Sequence, residues 1–238
     1  MPIPSESDIF TALGNWIQSV IPGVEVVQGQ LNRVPEPVSP NFVIMTTMFR
    51  ERLATNIDTY ADCQFTGSVA ADQLTISAIQ FGKVRLGSNI WDVAGDIPIG
   101  TTIISGPSSG LLGIYTLSAS VGTVASEKMA CGNQTLTQKT QLSIQLDVHS
   151  PNLTVAGDNA TTIATLFRSE RAIDFFSAYP GLAPLYTDEP RQVPFINAES
   201  QYESRYVITA ILQADQAITL PQQFADQLQV TIEPPVDG

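Results

Sequence analysis

Positive charge is scarce in this 238-residue chain: 11 Lys and Arg stand against 23 Asp and Glu, for a formal net charge of −12. Neutralising phosphates requires clustered cations, so the balance argues against a protein that grips DNA or RNA. Histidine is limited to His149 and cysteine to Cys63 and Cys131. A Ser-His-Asp or Cys-His centre would therefore have to be built on His149. Charged residues make up only 14% of the chain, too few for long solvated helices. No apolar run is long enough to cross a bilayer. The Met1–Glu6 start lacks a basic region followed by an apolar stretch, so the expectation is a soluble chain made in a cytoplasm. The three Asn-x-Thr triplets, at Asn133, Asn152 and Asn159, then never meet a glycosylation machinery.

What is present suits a strand-rich fold. Apolar residues are 43% of the chain, enough for a core, and the 16 Gly and 16 Pro imply many turns. Ser5-Glu-Ser-Asp8 is a helix start, followed by Ile9, Leu13, Trp16, Ile17 and Val20 at helical spacing, with Pro22-Gly23 as the stop. Strands are expected at about 24–31 and 42–52. The proline-rich stretch 33–40 between them is expected to be an ordered arm or loop.

Residues 64–130 differ in character, holding 9 of the 16 Gly but 2 of the 16 Pro and 7 of the 34 charged residues. Alternation at 74–79 and short β-like runs at 83–86, 89–93, 101–104 and 113–117 suggest a small sandwich or barrel. Beyond it, Leu142, Ile144, Leu146 and Val148 alternate with polar residues as in a half-buried strand. A helix is expected from an Asp158 cap through Phe176, then strands at about 200–214 and 227–233. The fold class is thus α+β: an antiparallel or mixed sheet with two main helices, residues 1–62 and 131–238, interrupted by an inserted all-β domain at 64–130. Cys63 and Cys131 sit at the ends of that insertion, which must lie close together. They are candidates for a disulfide, worth about 4 kcal/mol on a chain-entropy argument, or else two small buried thiols kept reduced.

Signs of chemistry are few. Asp147 and His149 share a strand face and could hold a metal, but no third ligand is evident. The Gly-rich stretch 105–113 lacks the Gly-Lys-Ser/Thr ending of a phosphate loop and reads as a β-turn connection. Asp188-Glu189 has no partner acid at a recognisable spacing. No catalytic residue, cofactor or metal is expected. Helix residues Arg168, Glu170, Arg171 and Asp174 form either a solvated face or a subunit contact.

Several long stretches resemble phage neck terminator proteins: Trp16–Pro37, Met45–Asn56, Leu142–His149, Thr165–Glu170, Ala183–Gln192, Pro194–Glu199 and Gln201–Glu203. The resemblance spans both flanks, about 170 of the 238 residues. The middle, through Gly100–Pro107, Gly113–Ser118 and Thr123–Ser126, resembles a β-rich module often inserted in phage virion proteins. The family resemblance implies a non-enzymatic ring, usually of six copies, in the tail or neck of the virion and assembled in the host cytoplasm. Such a ring caps the tail tube and faces a head-side connector or adaptor protein, with the sheath as a further contact. DNA would pass through its lumen without specific binding, and no membrane is involved. Arg50, Arg52, Arg168, Arg171 and Arg191, with Glu199 and Glu203, are the expected ring-interface residues. The alternatives are another neck or tail component, such as a head-completion protein or tube subunit, and a binding module whose β-domain recognises a host surface or glycan.

Overall fold

The computed structural model describes residues 3–29, 37–193, 195–196 and 202–221. Its helices are α1 (Glu6–Val20), α2 (Leu153–Phe167) and α3 (Glu170–Phe176). The strands begin with β1 (Glu25–Gln28), β2 (Phe42–Arg52), β3 (Ile57–Ala70) and β4 (Gln73–Gly82). Then come β5 (Asn89–Asp92), β6 (Ile103–Ser105), β7 (Gly113–Leu117) and β8 (Thr123–Ser150). The last are β9 (Leu182–Thr187), β10 (Arg191–Gln192), β11 (Phe195–Ile196) and β12 (Tyr202–Pro221). The chain is sheet-rich and broadly α+β. It divides into two compact units, one of residues up to Ile57 with Thr137–Ile218, the other of Asp58–Leu136 with the described residues from Thr219 on.

In the first unit β1 runs parallel to β2, and β2 pairs antiparallel with β8 from Phe42 opposite His149 to Arg52 opposite Thr140. Strand β12 lies beside β8 and carries β9 and β10. Period-two alternation sends Val43, Met45, Leu142, Ile144, Leu146 and Val148 to one face, where they join the buried stripes of all three helices in one core. Helix α1 starts in a reciprocal capping box, with the Ser5 amide donating to Asp8 Oδ2 at 2.8 Å and the Asp8 amide to Ser5 Oγ at 3.2 Å. It buries Ile9, Leu13, Trp16 and Ile17, and the Trp16 ring meets Phe167 edge-on at 4.9 Å.

The expected single helix through Phe176 is two. It begins earlier than Asp158, because Asn152 Oδ1 accepts the Thr154 amide at 2.9 Å and so caps it. It breaks at Arg168–Ser169, where the Ser169 hydroxyl donates back to the Leu166 carbonyl at 2.6 Å and Ser169 takes extended backbone angles. The change of direction lets Phe167 and Phe176 both bury, with ring centres 6.1 Å apart.

In the second unit the hydrogen-bonded order β8–β3–β4–β7–β6 returns to β8 through β5. The joint between β5 and β6 is the bridge Asn89–Thr102 and the Ile103 amide donating to the Ser88 carbonyl at 3.0 Å. Phe65, Leu74, Ile90, Ile103, Tyr115 and Leu117 fill the barrel-like interior. Residues 83–86, expected to be strand-like, form a connection in which the Val84 amide bonds the Gly110 carbonyl at 2.9 Å. Its path is set by Gly82 and Gly87, both at positive φ, and a Cβ on Gly82 would overlap the Asp62 carbonyl. The expected strand at 227–233 lies outside the described residues, as do residues 30–36 of the first interstrand region.

Candidate interface surfaces

Each of the five arginines singled out from the sequence is tied within its own chain. Arg50 pairs with Glu6 and donates to Gln216 Oε1 at 3.2 Å. Arg52 bonds the Ala54 carbonyl at 3.1 Å and Asn56 Oδ1 at 2.5 Å. The helix break separates Arg168 from Arg171: the first donates to the Thr187 carbonyl, the second to the Ser19 carbonyl near the end of α1 at 3.4 Å. A cation beside a helix C-terminus is well placed against the helix dipole. Arg191 lies 3.7 Å from Asp188, whose other oxygen accepts the Thr209 amide. Glu199 lies outside the described residues, and of Glu203 the backbone alone is described, opposite Phe195.

Two of these residues, Arg168 and Arg191, meet at one corner. The C-terminal end of α2 and the β9–β10 turn enclose a cleft of about 170 Å³ lined by Thr161, Arg168, Asp188, Glu189 and Pro190, and Arg191 flanks it through Asp188. Side chains of both signs make this a polar corner.

Sequence reasoning missed Arg205. Its Nε and a terminal nitrogen reach Asp147 Oδ1 at 3.0 and 2.7 Å, and Gln145 Nε2 donates to both Asp147 oxygens at 3.0 Å. Asp147 is 6% exposed and Arg205 half-buried, so this is a satisfied ion pair joining β8 to β12 with its carboxylate buried. An isolated Arg in an alternating strand gives no sequence signal of such a partner. Asp147 and His149 do share a face, but the Asp147 oxygens are occupied and the His149 ring stacks on Phe42 at 4.5 Å. Among the described residues no group of three or more His, Cys, Asp or Glu could hold a metal.

Cys63 and Cys131 are buried free thiols in the core of the second unit. Their mutual hydrogen bond holds the Cys63 thiol below its ordinary range. The same bond, with burial, pushes Cys131 far above it. Gly106-Pro-Ser-Ser-Gly110 matches the Gly-x-Ser-x-Gly spacing of a hydrolase nucleophile elbow. However, it lies between β6 and β7 with no helix after it, the Gly110 amide bonding the Pro107 carbonyl at 3.1 Å.

The family model for phage neck terminator proteins matches residues 105–235, more than half of the chain. The chain belongs to the phage neck terminator family. This family is structural, and a neck protein works in the virion in association with other head or tail proteins. The matched span takes in the Asp147–Arg205 pair and the Arg168–Arg191 corner. No curated protein matches the neck terminator chain. Among solved structures, a non-toxic crystal protein from Bacillus thuringiensis aligns over 80% of each chain at 11% identity with a TM-score of 0.09. Among the described residues, no helix is long and apolar enough to cross a membrane.

Proposed function

We propose that this protein closes into a ring, six copies by analogy with its family, that seats on the last ring of the tail tube, stops its growth and presents a surface to the head-side connector. The observation that carries this reading is the neck terminator match over residues 105–235. Its mechanism is steric and interfacial: apolar area buried between neighbours drives closure, and arginine–carboxylate contacts select the register. The corner of Arg168, Asp188, Glu189 and Arg191 is the best-formed surface for such contacts, with Arg50, Arg52 and Arg171 as further candidates. In this reading the stretch 64–130 is an insertion in the terminator body, brought in between strands that belong to one sheet. Six copies at −12 each carry a formal −72. An acidic lumen would repel the passing duplex and limit sticking.

Negative-stain microscopy of the purified chain, alone and with tube subunits, tests the proposal. Closed rings that do not elongate, and tubes that stop when the protein is added, are the expected result. Long self-made filaments would identify a tube subunit instead, and a strictly monomeric chain that leaves tube growth untouched would refute the ring.

A further inference from the structure

Strand β1 ends the sheet of the first unit: among the described residues β2 is its one strand partner. The Glu25 amide bonds the Asn41 carbonyl at 3.1 Å and the Gly29 amide bonds the Met45 carbonyl at 2.8 Å. Odd-numbered residues therefore turn their backbone to β2, and Val26 and Gln28 turn theirs to the outer edge. Beside that edge, α1 and β1 enclose a groove of about 440 Å³ with an apolar floor of Phe10, Val26 and Met45 and a rim that includes Ser7, Asn15 and Gln18. Among the described residues no charged side chain lines it. Gly14 keeps the floor open. A Cβ there would make ordinary contact with Met45 and Val26, and its φ is not in the left-handed region, so no local strain calls for glycine. Glycine in mid-helix nevertheless costs about 1 kcal/mol relative to alanine.

We propose that residues 227–233 of a second copy of this chain add as a strand to the β1 edge, seating alternate side chains in the groove. The segment reads Gln-Leu-Gln-Val-Thr-Ile-Glu, with Leu228, Val230 and Ile232 on one face and polar residues on the other. That alternation, rich in β-branched residues, matches an apolar floor with a polar rim and gives main-chain bonds for affinity and side-chain pockets for specificity.

Chain length favours a neighbour over the same copy. Arg205 meets Asp147 and Asp215 meets Lys139, so β12 runs antiparallel to β8 and leaves the unit away from β1. A strand added beyond β1 lies four strand spacings from β12, about 19 Å. Gln216 contacts Arg50, five residues past the Met45 that pairs with Gln28, and Ile218 lies further on. That adds roughly 23 Å along the strands at about 3.3 Å per residue. The diagonal of about 30 Å already equals the taut limit of the steps from Ile218 to Gln227, and residues 219–221 are themselves held in β12. A neighbouring copy needs no such stretch.

The proposal rests on the ring reading, and the test separates the two. Four forms are compared by mass photometry over a concentration series, with amide exchange read at Val26 and Gln28: the full chain, a chain ending at Pro221, Val230→Pro and Gly14→Leu. Proline removes a ladder donor in the arm, and leucine fills the groove without touching the arm. In all three altered forms the concentration for ring assembly should rise by about tenfold or more. Protection of Val26 and Gln28 should appear only in assembled full-length protein. Rings that persist unchanged in all three overturn strand addition alone. Protection in dilute monomeric full chain means the segment folds back on its own copy and also overturns it. A full chain that never assembles overturns the ring reading, and this proposal with it.

Discussion

Arg205 shows how one side chain can hold two strands in register. Both of its contacts fall on Asp147 Oδ1, and Gln145 covers the carboxylate. Removing one member of a buried pair leaves the other charge unsolvated, so Arg205→Ala should destabilise the chain by about 3 kcal/mol. Urea denaturation of the variant, with Arg205→Lys for comparison, reads this directly; a loss below about 1 kcal/mol would place the pair among solvent-screened surface contacts. In the second unit, Gly106 lies against Tyr115, and a Cβ there would overlap the ring. Gly106→Ala should cost about 1–3 kcal/mol through overpacking, measured the same way. Cys63 and Cys131, at 0% and 1% exposure, should resist a thiol reagent in the folded chain and react together on unfolding. Labelling that proceeds before the unfolding transition would contradict their burial, and an intact mass two hydrogens short would reveal a bridge.

At the scale of the element, polar residues at helix ends decide where helices start and stop. Asp8 accepts the Ser5 hydroxyl and the Ser5 amide, in that order of effect, and its carboxyl is held below its ordinary value. A lowered folded-state pKa stabilises above the unfolded value, near 4, and that contribution fades as pH falls through the folded value. The difference in helix stability between the native chain and Asp8→Asn should therefore be present at pH 7 and shrink at about pH 3, as followed by circular dichroism. Asn152→Ala should cost about 1 kcal/mol by removing the α2 cap. The α1 start was legible in the sequence because Ser5 and Asp8 stand next to a clean apolar stripe. The α2 start was not, since Asp158 and Asn152 are both competent caps and only the burial of Ala156 and Ala160 chooses between them. Strand β2 was legible as a strand-like segment, with the bounds observed. Strand β9 was obscured by Pro184, which it tolerates because among the described residues its one strand neighbour is β12 and a bulge lies beside it. Cys63, Phe65 and Val69 alternate inward along β3, a signal that a boundary drawn at residue 64 cut through.

For the whole molecule, one histidine, two cysteines and an acidic balance gave no positive sign of catalysis or nucleic-acid recognition, and the family match identifies a structural phage neck protein. The partners of Arg50, Arg168 and Arg171 could not be read from spacing, because each lies across the tertiary fold. If the ring is closed mainly by apolar burial, raising salt from about 0.1 to 0.5 M should leave assembly intact, whereas exposed ion pairs alone would be screened. Light scattering across that range distinguishes the two, and dissociation at high salt would mean that charge pairing, not apolar burial, holds the copies together. The two units also differ in what they offer a partner. The ladder of the second unit comes back toward its start through the Asn89–Thr102 bridge, so its described strands leave a narrower open edge than β1 does. Whatever that unit touches is recognised chiefly through protruding groups such as Ile99, Ile104 and Ile114, whose contacts are adhesive but undemanding of alignment. Recognition there can drift residue by residue in evolution, while the first unit stays bound to the geometry of its open rim.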